Sequence, residues 1–342
     1  MRFSRLIAWL IIPACAVVFA FVISARWPFF SFGSSAQQQV LSDYFNQVST
    51  LILQSASPSK NEVARSLTLT ALPQLNGQRR GLLLNFLAET KLLNSNPATS
   101  LQAADFRGAK LDRANLANLQ LTGVNLQAAQ LVQANLSTAN LQQANLQMAR
   151  LREANLQQAN LQNAKLTRTD LRSANLERAN LRGADLRGVN LRGANLSRAN
   201  LTEADLEGAR LEGANLTGAK LEKATLEHAR LTRSILDQAN LKQAFLRGAF
   251  LEAASLQQAN LEEADLRATV LQKAELEAAN LQQANLTRSN LQDAEIEDAR
   301  LQRANLTQAN LRHASLDQTR LGGVIWCETQ MPDGSINNQT CP

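Results

Sequence analysis

A five-residue period runs through most of this chain of 342 residues. From Leu101 to Leu321 every fifth residue is apolar, and 43 of these 45 positions are Leu, the exceptions being Phe106 and Ile296. The residue two positions before each apolar residue from 106 to 321 is Ala in 36 of 44 cases. The residue between this position and the apolar residue is Asn or Asp in 25 of 44 cases. No insertion or deletion breaks this phase, so the period takes precedence over every other signal in the sequence.

A period of five fits neither regular secondary structure. On an α-helix, residues five apart are rotated by about 140°, so the Leu residues would form no apolar face. Along a strand, alternate Leu residues would point to opposite faces. Within one unit, however, Ala and Leu face the same side of a short extended segment. The other two residues can turn a corner, where the recurring Gly suits a positive φ. The sequence therefore predicts a solenoid with Leu and Ala inside.

The unit Ala-Asn/Asp-Leu-x-x resembles that of the pentapeptide-repeat family, and the resemblance covers residues 101–321. It implies an all-β solenoid, a right-handed quadrilateral β-helix with four repeat units per coil. Residues 102–321 would then form about 11 coils, and at about 4.8 Å per coil the rod would be about 50 Å long. Rows such as Asn115, Asn135 and Asn155 would line one face and hydrogen-bond to one another.

Residues 1–30 predict a transmembrane anchor or signal-anchor. Leu6 to Ser24 contains no charged residue and is long enough to cross a hydrocarbon core of about 30 Å as a helix. Arg2 and Arg5 precede it, which favours a single-pass protein with a cytoplasmic N-terminus and a periplasmic or lumenal repeat domain. The alternatives are a signal peptide that is cleaved to give a secreted protein, and lipidation of Cys15.

Residues 37–94 predict a small α-helical segment between the anchor and the repeat. Apolar residues from Val40 to Ile52 follow a helical stripe, and Ser57-Pro58 ends it. About 58 residues bury only a small core. The segment is therefore either a docking module or a spacer that also covers the first coil of the repeat.

Residues 322–342 predict a tail that caps the far end of the repeat. Val324 continues the Ala phase and Trp326 the Leu phase, so a bulky plug would close the last coil. Cys327 and Cys341 lie close together in the sequence and form a candidate disulfide in an oxidising compartment. The alternative is two unrelated free thiols.

The composition argues against an enzyme. The chain has two His and three Cys, and no phosphate-binding loop or spaced Cys/His set is present in the sequence. His228 and His313 both fall at outward corners and are far apart, so they are interpreted as surface residues. We therefore predict no catalytic residues, no cofactor and no metal site.

The charges of the repeat are unevenly distributed along the sequence. Residues 161–200 have a net charge of +5 and residues 251–300 a net charge of −6. A rod with such bands can orient a partner or pack with a second copy, although charges also keep a rod with an apolar core soluble. The candidate interaction residues are Arg152, Arg172, Arg192, Glu275, Glu277, Glu295 and Glu297.

These features predict a non-enzymatic, membrane-tethered scaffold or protein-interaction rod on the exported side of the membrane. A factor for transport or assembly of a membrane complex is the alternative, which differs only in the partner. Some pentapeptide-repeat proteins mimic duplex DNA and bind DNA gyrase, a function that requires a strongly acidic rod. Residues 101–321 have a net charge of +3, so neither gyrase nor nucleic acid is the expected partner.

Overall fold

The computed structural model describes residues 35–53, 60–90 and 101–341. The helical segment contains α1 (Ser35–Leu53), α2 (Lys60–Ala71), a short 3-10 helix (Leu72–Gln74) and α3 (Gly77–Glu89). The repeat follows, and the chain ends in a small antiparallel pair of strands, β1 (Thr329–Gln330) and β2 (Ile336–Asn337). Among the described residues no helix is both long enough and apolar enough to cross a membrane. The predicted anchor, Leu6 to Ser24, lies outside those residues.

Parallel bridges between equivalent residues of successive coils turn the repeat into a β-helix. They run without a break from Asp105 with Asn125 to Asn310 with Gln330. Each Leu-phase residue from Phe106 to Leu311 donates its backbone N–H to the next coil, and each residue before the Leu phase from Asn125 to Gln330 donates to the preceding coil. Asn155, for example, accepts from Leu136 N at 2.7 Å and donates to Ala134 O at 2.9 Å. The predicted solenoid is confirmed, and its ladder continues past residue 321 into the tail.

The core is a continuous stack of Leu and Ala. The Leu-phase residues between 101 and 311 are at most 2% exposed, and complete burial of each Leu is worth about 1.5–3 kcal/mol. Where Thr or Ser replaces Ala, the hydroxyl reaches a backbone carbonyl. Thr169 Oγ1 donates to Leu146 O at 2.8 Å and Ser234 Oγ donates to Leu231 O at 2.7 Å. The core therefore tolerates a small polar side chain because that side chain has a partner.

Every corner of the repeat has the same backbone conformation. The Ala N–H donates to the Leu carbonyl across the two turn residues, as Ala134 does to Leu131 at 3.1 Å. The second turn residue has a positive φ at every corner from Ala103 to Glu328, as in a type II turn. The sequence indicated Gly for this conformation, but most of these residues are not Gly. Hydrogen bonds between coils, such as Gln133 N to Arg152 O at 2.9 Å, offset the local strain.

The Asn and Asp residues before Leu complete the hydrogen bonding of the corner. The first turn residue is the one whose N–H donates to no backbone carbonyl of a neighbouring coil within the described repeat. All 25 Asn and Asp at this position accept from that N–H through the side-chain oxygen. Asn195, for example, accepts from Ser197 N at 3.1 Å and donates to Asn175 Oδ1 at 3.3 Å. The ladder expected for Asn rows is thus present, together with a second role within each turn.

Helix α3 covers the beginning of the first coil. Its Gly77 and Gly81, one turn apart, face the coil backbone. A Cβ on either would lie inside the contact distance of a carbonyl oxygen, that of Gly108 or that of Lys110. The backbone N–H of Lys110 donates to Gly77 O at 3.1 Å. The two glycines therefore allow a helix to lie directly on an open sheet edge.

A charged side chain also holds α3 against the first coil. Arg80 of α3 donates to Arg107 O at 3.3 Å and pairs with Asp105 at 3.4 Å. On the other face of α3, Phe86 packs against Tyr44 and Phe45 of α1. The helical segment and the rod thus share one continuous core.

The tail folds back over the last coil. Val324 and Trp326 are buried at the end of the core, in the phases that the sequence indicated. Thr340 holds the tail against this plug, because its hydroxyl accepts from Trp326 N at 2.5 Å and its N–H donates to Trp326 O at 3.2 Å. Cys327 and Cys341 form a disulfide, with their Cα atoms 4.6 Å apart.

Candidate interaction surfaces

The coil has four sides, each defined by the outward residue before Leu and by the first turn residue after it. Side 1 begins at Asp105, side 2 at Lys110, side 3 at Asn115 and side 4 at Gln120, and each recurs once in every coil. Outward residues on one side therefore form straight columns along the rod.

The second turn residues form the four edges between the sides. Edge 1–2 is the column that begins at Gly108, and edge 3–4 is the column that begins at Asn118. These two edges are diagonally opposite. A residue's side or edge follows from its position within the coil.

Side 2 carries the arginine column that the sequence indicated. Arg152, Arg172 and Arg192 occupy equivalent positions in successive coils and are about half exposed. Arg172 donates two hydrogen bonds to Asp170, at 2.7 and 2.8 Å. Its guanidinium lowers the pKa of the Asp170 carboxyl.

The neighbouring column of side 2 adds two further arginines that the sequence analysis did not single out. Arg210 and Arg230 lie 3.7 and 3.3 Å from Glu212, and Arg192 lies 3.8 Å from the same carboxylate. Glu212 is largely buried, whereas the three arginines are 43–60% exposed. One carboxylate thus organises three cations, and this part of side 2 keeps a positive excess.

Side 3 carries the predicted acidic residues. Glu275 and Glu295 are bridge partners in adjacent coils, and Glu277 and Glu297 occupy the neighbouring column. Ser315 Oγ donates to Glu297 at 2.7 Å. Burial raises the pKa of Glu277, and the carboxylates of Glu295 and Glu297 raise it further. The structure therefore brings the four glutamates together, whereas the three arginines lie on a different side.

Charge is segregated around the rod as well as along it. Over residues 101–321, side 2 and edge 1–2 together carry ten Lys and Arg and four Asp and Glu. Side 3 carries seven Asp and Glu and no Lys or Arg over the same range. The bands that the sequence indicated are thus resolved into a basic surface and an acidic surface.

Exposed apolar side chains were missed by the sequence analysis. Between residues 101 and 321 they are Met148 (51% exposed), Ile235 (42%), Phe245 (47%) and Phe250 (46%). Met148 lies on edge 1–2, and the two Phe flank the same edge, one on side 1 and one on side 2. Ile235 lies alone on side 3. A detectable signal existed, because Ile235 and both Phe stand where the repeat favours Asn or Asp.

The two histidines lie apart in the structure. His228 is on edge 1–2, and His313 Nδ1 lies 3.2 Å from Asp293. Within the described part of the chain, no group of three His, Cys, Asp or Glu side chains is placed to hold a metal ion.

Comparison with known families identifies the repeat. The family described as "Pentapeptide repeats (8 copies)" matches residues 99–137, 120–158, 134–172, 154–193 and 194–233. The family described as "Pentapeptide repeat region" matches residues 251–326. The chain is a pentapeptide-repeat protein. The matched residues include all ten Lys and Arg of the basic surface and six of the seven Asp and Glu of side 3.

Solved structures similar to this pentapeptide-repeat protein include other members of the family. HetL, involved in heterocyst differentiation regulation in the cyanobacterium Nostoc sp. Strain PCC 7120, is 36% identical over 55% of this chain and 91% of its own, with a TM-score of 0.28. QnrB1, a plasmid-mediated fluoroquinolone resistance protein, is 18% identical over 49% and 86%, with a TM-score of 0.44. A thylakoid-lumen protein of Arabidopsis thaliana is 27% identical over 38% and 70%, with a TM-score of 0.12. Among curated proteins the search found no match.

Proposed function

We propose that this pentapeptide-repeat protein is a non-enzymatic, membrane-tethered scaffold that presents its rod on the exported side of the membrane. The segregation of charge between side 2 and side 3 carries the proposal. A rod whose interior is filled with Leu and Ala has its outer surface available for function, and here that surface is ordered into columns of opposite sign. Such columns fix the orientation of a bound partner.

Two further features support the membrane tether and the exported location of the rod. Leu6 to Ser24 has the length and apolar character of a spanning helix, with Arg2 and Arg5 before it. At the other end, the Cys327–Cys341 disulfide fits an oxidising compartment such as the periplasm or a lumen. Together they support a cytoplasmic N-terminus and an exported rod.

Topology is tested by thiol labelling of the full chain expressed in bacteria. Spheroplasts are treated with a membrane-impermeant maleimide, before and after reduction, in a Cys15→Ser background that leaves only the tail cysteines. We expect labelling of Cys327 and Cys341 in intact spheroplasts only after reduction. A Cys327→Ser/Cys341→Ser variant should lose the signal. Labelling that needs lysis but no reductant would place the rod in the cytoplasm and refute the proposal.

A factor for transport or assembly of a membrane complex would use the same geometry and differ in its partner. A DNA mimic would need acidic surfaces around the rod, whereas side 2 and edge 1–2 have more than twice as many bases as acids. We therefore do not propose gyrase as the partner.

A further inference from the structure

Phe245 and Phe250, on either side of edge 1–2, depart from the Asn or Asp that the repeat favours before Leu. At this position an Asn or Asp would accept the N–H of the residue two further on, as Asp265 does from Arg267 N in the next coil. Phe cannot accept, so the N–H groups of Arg247 and Glu252 forgo that bond. Both rings project outward, on either side of Gly248. Two aromatic residues thus replace a stabilising side chain without adding to the core, which is typical of a functional site.

Met148 and Phe250 lie on the basic surface, and Phe245 borders it on side 1. Phe250 is the bridge partner of Arg230 below it and of Val270 above it on side 2. Met148 lies on the edge that Phe245 and Phe250 flank, about five coils or roughly 24 Å nearer the N-terminal end. Carboxylates are present near the rings, since Glu227 lies 3.4 Å from Arg247 and Asp265 pairs with Arg267. The excess of Lys and Arg comes from the two columns of side 2 and from edge 1–2 itself.

We propose that edge 1–2 and side 2 lie flat on the surface of an anionic lipid bilayer. This inference rests on the proposed tether, which would hold the rod near its own membrane. Phe and Met side chains next to arginines match an interfacial surface, with the apolar groups in the headgroup region and the cations at the phosphates. Met148 lies on edge 1–2 and the two Phe lie directly beside it, so a plane against this edge can contact all three side chains. With edge 1–2 against the lipid, the diagonally opposite edge 3–4 faces away from it, and the acidic side 3 borders that distal edge.

Two alanines provide a matched pair of reporter sites. Ala268 lies on edge 1–2 and Ala278 on edge 3–4, half a coil away. Both are exposed second turn residues, with φ of 54° and 56°. Ala268→Cys and Ala278→Cys variants of the full chain, in the Cys15→Ser background, would carry an environment-sensitive NBD fluorophore. The tail disulfide stays oxidised and unlabelled.

The labelled chains are reconstituted into vesicles of phosphatidylcholine and phosphatidylglycerol in about a 2:1 ratio, or of phosphatidylcholine alone. In the anionic vesicles we expect the emission at residue 268 to shift to shorter wavelength and to resist an aqueous quencher. The emission at residue 278 should remain that of a label in water. Phe245→Ser/Phe250→Ser should abolish the shift at residue 268, whereas Ile235→Ser, which removes an equally exposed apolar residue from side 3, should leave it unchanged.

The possible results distinguish a failure of the proposed lipid contact from a failure of the proposed membrane tether. If the protein floats with the vesicles but the labels at residues 268 and 278 give the same emission, the proposed orientation is wrong and the tether is retained. Failure of the protein to float after alkaline extraction would overturn both. A shift at residue 268 that depends on protein concentration without vesicles would assign the edge to a second copy and overturn the lipid assignment.

Discussion

Replacing Gly81 with Ala should destabilise the protein, although the same change stabilises most helices. Gly81 lies in the middle of α3, where Gly is less favourable than Ala by about 1 kcal/mol. In this structure an added Cβ would lie 2.9 Å from the Lys110 carbonyl carbon and closer still to its oxygen. The obstacle is backbone that is held in the first coil, so α3 has to move away.

The expected loss of stability follows from the contacts that this movement of α3 breaks. The hydrogen bond from Lys110 N to Gly77 O is worth about 1 kcal/mol. Leu83, Leu84 and Leu87 of α3 are fully buried, and each contributes about 1.5–3 kcal/mol when buried completely. Partial loss of this burial, less the gain in helix propensity, leaves a net destabilisation of about 2 kcal/mol.

Two measurements on the full chain test the docking of α3. Thermal unfolding followed by circular dichroism should show a lower midpoint for Gly81→Ala. Hydrogen exchange with mass spectrometry should show faster exchange in the first coil, which contains Lys110, and unchanged exchange around Asn195 in the middle of the rod.

Gln78→Ala is the matched control, because Gln78 is exposed in the first turn of the same helix. It should change the stability by no more than a few tenths of a kcal/mol. If Gly81→Ala raises the melting temperature and leaves the first coil protected, α3 does not rest on the coil and the reasoning is refuted.

Three further predictions concern the rod. Asn195→Ala leaves Ser197 N without its acceptor and should cost about 0.5–1.5 kcal/mol in denaturant unfolding. Asn195→Asp loses the donation to Asn175 but keeps the acceptor for Ser197 N, so it should cost less; equal losses would contradict the role given to the side-chain oxygen. Ala194→Asp buries an unpaired charge and should cost about 3–5 kcal/mol, so an unchanged β signal and melting curve would show that Ala194 does not face inward. The raised pKa of Glu277 means that the wild type gains stability as the pH falls through that pKa. Glu277→Gln should therefore raise the melting temperature at neutral pH, with a gain that shrinks towards about pH 4, and a gain independent of pH would contradict this.

The fold was largely predictable because one period dominates the sequence. A Leu at every fifth position and an Ala two residues before it define which side chains are inside, and the structure buries those residues. The number of units in a coil came from the family resemblance, since a period of five does not by itself determine how many units close a coil. The conformation of the corners was only partly predictable. Gly marks ten of them, but Arg, Gln and Glu adopt the same positive φ elsewhere, because hydrogen bonds between coils outweigh local preference.

The candidate surfaces were predictable in part for a different reason. Arg152, Arg172 and Arg192 could be grouped because their spacing in the sequence is one coil of the expected fold. The cluster at Glu212 depends on side-chain contacts between neighbouring columns, which no periodicity reveals. Phe245 and Phe250 could have been found by asking which residues depart from Asn and Asp in an otherwise regular position.

Because each coil contains four equal units, the number of units that precede a residue determines which side of the rod it lies on. Deleting one repeat unit keeps Leu above Leu and Ala above Ala, so the core is insensitive to the change. Every residue beyond the deletion nevertheless moves by one side, a quarter turn about the axis. A unit lost just before Phe245 would carry both aromatic residues away from the arginines of side 2 and place them around another edge. Related rods can thus acquire new surfaces by rotation, without any substitution, and only the gain or loss of a whole coil leaves the surfaces aligned.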